Sequence, residues 1–281
     1  MAQDWIEAAP IWLIGCGNMA GAMLQRWLDV GLPAEQVTVV RPSGVPPAAG
    51  VRTLTALPQG DPPPRVLLLG IKPQKLDQVA TTVAAAIGPE TLLVSILAGA
   101  ELQGLRERFP SAGTVVRAMP NTPVAIGRGV VALYGDPGPS QAALERLMRP
   151  LGAIEWVKDE AQFGAITTLA GSGPAFLFRF VSALAKAGEG LGLPADQASR
   201  LATLMVDGAA GLALASPETP DMLADRVASP GGMTRKGLDV LDEGEALGAL
   251  MRRVLEATEG RGREMAQERR EALNKLGPNG V

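Results

Sequence analysis

The chain has 281 residues, 47% of them apolar, and carries 26 Lys and Arg against 29 Asp and Glu, for a formal charge of −3. That length favours two domains but permits one, the apolar share supplies a sizeable core, and the interspersed charge argues against a nucleic-acid partner held on a basic face. There is no histidine and only one cysteine, Cys16. His-based triads, His-polarised carbonyl chemistry, His-ligated metal sites and intrachain disulfides are therefore excluded, and no metal centre is expected.

The opening MAQDWIEAAP has no basic segment and carries Asp4 and Glu7, so it does not read as a secretory signal. IWLIG (Ile11–Gly15) reads as a buried strand and NMAGAMLQRWLDVG as the helix after it. VTVVR (Val37–Arg41), VLLLGI (Val66–Ile71), TLLVSIL (Thr91–Leu97), TVVRAM (Thr114–Met119), GVVALYG (Gly129–Gly135) and AIEWVK (Ala153–Lys158) continue the series. Most are continuous apolar runs, as in strands covered on both faces. Alternation with helices predicts an N-terminal Rossmann-type, doubly wound, mainly parallel sheet over residues 1–158. RPSGVPPAAG is too short and proline-rich for a full crossover helix. The longest apolar runs are strand-length, short of a membrane span, so a soluble cytoplasmic protein with no membrane partner is expected.

After Lys158 no strand pattern follows, and residues 159–281 read as an all-helical domain. One long helical stretch is interrupted at Gly-Ser-Gly-Pro. A second helix starts after Leu193-Pro194, and others cover Thr219–Val227, Thr234–Leu241 and Glu245–Arg269. From Glu271 on the chain reads as a frayed polar tail. The long stretch is apolar on nearly every face, which calls for burial all round and so for a second subunit.

IGCGNMAGA gives Gly15-x-Gly17-x-x-Ala20 at the first strand-to-helix junction. Gly15 permits the tight turn, Gly17 lets the backbone approach a pyrophosphate, and Ala20 permits close helix packing. Ile14, Asn18 and Met19 complete this turn. At the end of the second strand, where an NAD site would carry an acid, stand Arg41 and Ser43. A guanidinium and a hydroxyl suit a 2′-phosphate, which favours NADPH while leaving NADH open. Three later loops follow strands of the same sheet and are candidates to line the cofactor: Lys72 and Pro73 in GIKPQ, Ala98 and Gly99 in LAGA, and Asn121 in MPNTP. Asn121 as a turn residue, and Lys72 and Arg41 as solvated charges, remain the plainer alternatives.

The helical half carries AGSGPAF (Ala170–Phe176) and ASPGGMT (Ala228–Thr234). SPGGMT offers free backbone N–H groups and the hydroxyls of Ser229 and Thr234, a neutral cage for a small carboxylate; a capped helix start is the plain alternative. Gly15-x-Gly17-x-x-Ala20, IKPQ, LAGA, RAMPNTP, LAGSGPAF and ETPDMLADRVASPGGMT, in that order over nearly the whole chain, resemble the pyrroline-5-carboxylate reductase family.

The resemblance implies NAD(P)H-dependent reduction of 1-pyrroline-5-carboxylate to L-proline. It also implies a homodimer through interleaved C-terminal helices, often assembled into a decamer. On that pattern the substrate carboxylate is held by backbone N–H groups around Gly231, Gly232 and Met233 with Ser229. Thr234 is the catalytic residue, hydrogen-bonding the ring nitrogen. Ser172 and Gly173 fall in the substrate motif AGSGPAF. Glu160 matches an acidic position near the family's substrate site and reads equally well as a helix N-terminal acid. The missing histidine fits: a cyclic imine is readily protonated and its reduction needs orientation more than acid–base groups.

The chain departs from the family at Met233, where Thr or Ala is commoner, at Phe176, where Tyr is usual, and near Leu57, which lacks an expected Asn. Two rivals stay open. A related imine reductase or β-hydroxyacid dehydrogenase shares the layout, but the latter needs an interdomain lysine that Glu160–Arg179 lacks. A non-enzymatic NADPH-binding regulator is the other, against which the intact Ser229, Gly231, Gly232 and Thr234 argue.

Overall fold

The computed structural model describes residues 10–276; the reading of the opening segment as no secretory signal concerns positions largely outside them. Eight strands form one sheet: β1 Ile11–Ile14, β2 Val37–Val40, β3 Arg52–Leu54, β4 Val66–Leu69, β5 Leu92–Ser95, β6 Thr114–Pro120, β7 Gly129–Gly135 and β8 Gly152–Trp156. Their order is β3-β2-β1-β4-β5-β6-β7-β8. All neighbours run parallel except β6 and β7, whose antiparallel register pairs Met119 with Ala132.

Helices α1 (Asn18–Asp29), α2 (Leu76–Ala86), α3 (Leu102–Arg108) and α4 (Gln141–Met148) connect the strands. The central strands are apolar without alternation because both faces are covered. Ile11, Leu13 and Leu68 join Trp27 and Leu144 in one core cluster, while Trp12, Leu67 and Leu69 join Leu105 and Phe109 in another. The Trp27 indole N–H donates to the Leu147 carbonyl at 2.7 Å, which satisfies its one polar atom inside the core.

β3 is a difference from the sequence reading. It follows β2 without a helix, as the proline-rich link required. Its three residues are exposed or half-buried, so no apolar run marks it.

The later helices are α5 (Glu160–Ile166), α6 (Ser172–Gly190), α7 (Ala195–Ala215), α8 (Pro220–Val227), α9 (Met233–Asp242) and α10 (Ala246–Leu276). Between α5 and α6 lies a π-helical turn, Thr167–Gly171. The break expected at Gly-Ser-Gly-Pro therefore lies one turn earlier, and Pro174 sits in the first turn of α6, where a missing N–H is tolerated. α10 runs on to Leu276, so positions 271–276 are helical, not frayed, and the rest of the expected tail lies outside the described residues.

Two compact units emerge. One comprises the residues up to Ser172 together with those from Glu259 on; the other comprises Gly173–Thr258. The second, helical unit has little core of its own. Its buried cluster is Ala185, Ala198 and Ala202, with Val181 packed against it. Phe178, Phe180, Leu204 and Leu212 are exposed in the single chain. Glu160–Gly190 and Ala195–Ala215 are also long and apolar enough to cross a membrane, which corrects the reading of all apolar runs as too short. That reading counted uninterrupted apolar residues, and small and isolated charged residues break these helices without making them polar.

Candidate functional site

β1 stops at Gly15, whose φ of +83° belongs to the left-handed region. A Cβ there would lie 2.7 Å from the Ile71 side chain and 2.9 Å from the Gly70 carbonyl oxygen. Its N–H donates to the Val40 carbonyl at 2.8 Å, which ties the turn to β2. A Cβ on Gly70 would lie 2.8 Å from that of Ala20, so α1 and the end of β4 touch through their smallest residues. Gly17 differs: a Cβ there would meet nothing within 4 Å, leaving its side open to a ligand. It starts α1, a helix with no side-chain cap and no acid in its first turn. Bare N–H groups at a helix start attract an anion. The residues present therefore fit a dinucleotide pyrophosphate.

Arg41 follows β2, half-buried, with its N–H donating to the Leu54 carbonyl. Burial pushes the Cys16 thiol above its ordinary pKa, and the Arg41 charge opposes that shift. Ser43 is exposed, and its hydroxyl accepts from the Val45 N–H. Lys72 is exposed just before the turn Pro73–Lys75. Ala98 is exposed after β5, and Gly99 takes φ +71°. Strands β2, β1, β4, β5 and β6 run parallel as neighbours, so the turns that follow them share one edge of the sheet. Ile14 to Ala20, Arg41, Ser43, Lys72, Pro73, Ala98, Gly99 and Asn121 are thereby brought to that edge.

Asn121 and Glu160 are engaged within the sheet unit. Asn121 is 6% exposed; its Oδ1 accepts from the Val130 N–H at 2.8 Å and its Nδ2 donates to the Ala170 carbonyl at 2.9 Å. Glu160 accepts from the Leu102 N–H at 2.8 Å and pairs with Arg117. The Arg117 guanidinium lies 4.1 Å from the Phe163 ring centre. Burial lowers the Arg117 pKa, and Glu160 opposes that shift. Sequence reasoning passed over Arg117. Its signal was a lone charge inside the apolar run TVVRAM, which requires a buried counter-ion.

In the helical unit, Gly231 takes φ +71° and Gly232 caps the start of α9. The Gly232 N–H donates to the Ser229 carbonyl at 2.9 Å, and a Cβ on Gly232 would lie 2.5 Å from Ser229 Oγ. The serine hydroxyl thus packs against the helix start where only glycine fits. α9 has no side-chain cap and no acid in its first turn. Ser229, Gly231, Met233 and Thr234 are exposed. Two ion pairs flank the turn, Arg226 of α8 with Glu218 and Arg235 of α9 with Asp225 of α8. Ser172 and Gly173 stand at the start of α6, both half-buried, and a Cβ on Gly173 would meet nothing within 4 Å.

Fold and sites define a class: a doubly wound, mainly parallel sheet unit with a glycine turn before its first helix, and a helical unit with a second glycine turn before α9. The description "Pyrroline-5-carboxylate reductase dimerisation" belongs to a family model that matches residues 160–265. A pyrroline-5-carboxylate reductase of Pseudomonas aeruginosa is 35% identical over 263 residues, covering 91% of this chain and 96% of that protein. The solved pyrroline-5-carboxylate reductase of Coxiella burnetii is 30% identical with a TM-score of 0.83, covering 92% of this chain and 98% of that one. A Plasmodium falciparum pyrroline carboxylate reductase solved with NADP bound shares the fold at 22% identity and a TM-score of 0.81, covering 92% and 99%. The chain belongs to the pyrroline-5-carboxylate reductase family.

Proposed function

We propose that this chain reduces 1-pyrroline-5-carboxylate to L-proline with NADPH, in the cytoplasm and as a homodimer that can assemble further into a decamer. The carrying observation is the pair of helix starts with no side-chain cap and no acid in the first turn, at Gly17, where a Cβ would meet nothing, and at Gly232, where a Cβ would press on Ser229 Oγ. One suits a pyrophosphate and the other a carboxylate.

NADPH, when bound, supplies the hydride. Gly15, Gly17 and Ala20 let its pyrophosphate reach the start of α1, flanked by Ile14, Asn18 and Met19. Arg41 and Ser43 take the 2′-phosphate, a charge-assisted contact that NADH lacks. Lys72, Pro73, Ala98 and Gly99 line the remainder along the sheet edge. The Plasmodium falciparum protein of the same fold carries NADP.

The backbone N–H groups of Gly231 and Met233, with the Ser229 hydroxyl, bind the substrate carboxylate, in a turn that the Gly232 N–H closes on the Ser229 carbonyl. That group carries the same charge before and after reaction, so these contacts mainly set affinity. The Thr234 hydroxyl orients the ring nitrogen, which keeps the proton that makes the imine electrophilic. Ser172 and Gly173 offer close backbone approach beside the ring. Because the imine is protonated in solution, no histidine is needed, and orientation and exclusion of water supply the rate. Glu160, bound to Arg117 and Leu102, supports the site indirectly. The apolar faces of α6 and α7 fit a second copy better than lipid, because they lie within the residues matched to a dimerisation model.

The test is oxidation of NADPH by the purified chain in the presence of 1-pyrroline-5-carboxylate, with a six-membered cyclic imine acid as comparison. Turnover of the five-membered ring with proline as product is expected; binding of NADPH without turnover of either ring would favour a regulator instead.

A further inference from the structure

Asn121 joins two motifs that the sequence holds far apart, NTP after β6 and AGSGP before α6. Its Nδ2 donates to the carbonyl of Ala170, inside the π-helical turn Thr167–Gly171. The reason that carbonyl accepts from a side chain lies four residues on. A helical carbonyl ordinarily accepts from the N–H four residues later, and position 174 is proline, which has none. Asn121 Nδ2 gives that carbonyl a donor from outside the helix, where the ordinary α-helical one is absent. At the other end of the turn, the Thr167 hydroxyl donates to the Phe163 carbonyl at 2.7 Å. Such widened turns are rare and concentrate at functional sites. Asn121 Oδ1 meanwhile accepts from Val130 N–H, so both ends of a 6%-exposed amide are occupied inside the sheet unit. The amide keeps one further N–H and one further lone pair, but at 6% exposure little of it faces a cofactor.

We propose that Asn121 is a positioning residue for the substrate side of the reaction and not a cofactor ligand: by holding the Ala170 carbonyl it sets the turn that presents Ser172 and Gly173. The inference rests on the reading above that these two residues approach the substrate. Pro174 and Asn121 form one device, in which the proline frees the carbonyl and the asparagine fixes where it points. An α-helical turn at the same place would rotate the residues that follow and move the backbone at Ser172 and Gly173.

Asn121→Asp tests this, because it keeps an acceptor for Val130, removes the donor to Ala170 and sets a carboxylate oxygen against that carbonyl. Asn121→Asp combined with Pro174→Ala restores an N–H to the helix and lets the ladder close in the ordinary way. For each variant the measurements are thermal midpoint, NADPH dissociation constant by fluorescence, and steady-state kinetics with 1-pyrroline-5-carboxylate. Asn121→Asp should lower kcat/KM about tenfold, mainly through KM, with NADPH affinity within about twofold of the parent. In the double variant the thermal midpoint should recover while KM stays raised. A parallel loss of NADPH affinity, an unchanged KM, or recovery of KM together with the midpoint would each overturn the proposal. If Asn121→Asp does not fold, Pro174→Ala alone decides. It offers Ala170 a competing donor and should raise KM at constant NADPH affinity; an unchanged KM overturns the proposal. Failure of the parent to reduce the imine would count against the proposed function itself, whereas failure of this inference appears only in the variants.

Discussion

In the sheet unit Trp27 and Leu67 are 0% exposed and Phe109 1%, whereas in the helical unit Phe178 is 65% exposed, Leu204 60% and Phe180 48%. Both units are rich in apolar residues, yet one buries them within the chain and the other presents them. Strands covered on both faces close a core by pairing with neighbours in the same sheet. α6 and α7 touch through Ala185, Ala198 and Ala202, residues too small to fill a core, and leave their large side chains outward. Local sequence therefore completes the sheet unit, while the helical unit leaves its large apolar side chains uncovered.

The largest expected effect breaks that second half of the comparison. Phe178→Asp removes about 1.5–3 kcal/mol of apolar burial per copy. A symmetric dimer carries the change twice, so association should weaken roughly a hundred- to ten-thousandfold by sedimentation. A compact, active monomer of the parent chain would refute the contrast outright. Next comes the sheet unit's own core. Trp27→Ala should cost about 3–5 kcal/mol in denaturant unfolding, because it leaves a cavity and an unpaired Leu147 carbonyl. A loss under about 1 kcal/mol would mean that this core is not closed within the chain.

Much of this is legible in the amino-acid sequence. Continuous apolar runs mark β1, β2, β4 and β5 because parallel strands are buried on both sides, and Gly15 stands out because its left-handed backbone and close neighbours admit no side chain. β3 escapes because an edge strand reading Arg-Thr-Leu buries little. The π turn escapes because periodicity cannot separate a widened helical turn from an ordinary one, although Pro174 marks the carbonyl that needs another donor. Arg117 with Glu160, and Asn121 with Ala170, are partners 43 and 49 residues apart. Such pairs follow from strand order, which no local pattern encodes.

A smaller effect sharpens the assignment of the cofactor to the sheet unit. Arg41→Asp should weaken NADPH binding about a hundredfold, through a lost charge-assisted contact and added repulsion, while NADH changes less than about threefold. Equal losses for both cofactors would remove Arg41 from the phosphate site and leave it as a strand-end charge.

The central claim is that the turn from Ser229 to Thr234 holds the substrate while the sheet unit holds the cofactor. Steady-state kinetics of Thr234→Ala with 1-pyrroline-5-carboxylate, read beside NADPH binding by fluorescence, tests it most directly. Loss of one orienting hydrogen bond should lower kcat about ten- to a hundredfold with NADPH affinity unchanged. Parental turnover, or a loss of NADPH binding in its place, would contradict the assignment.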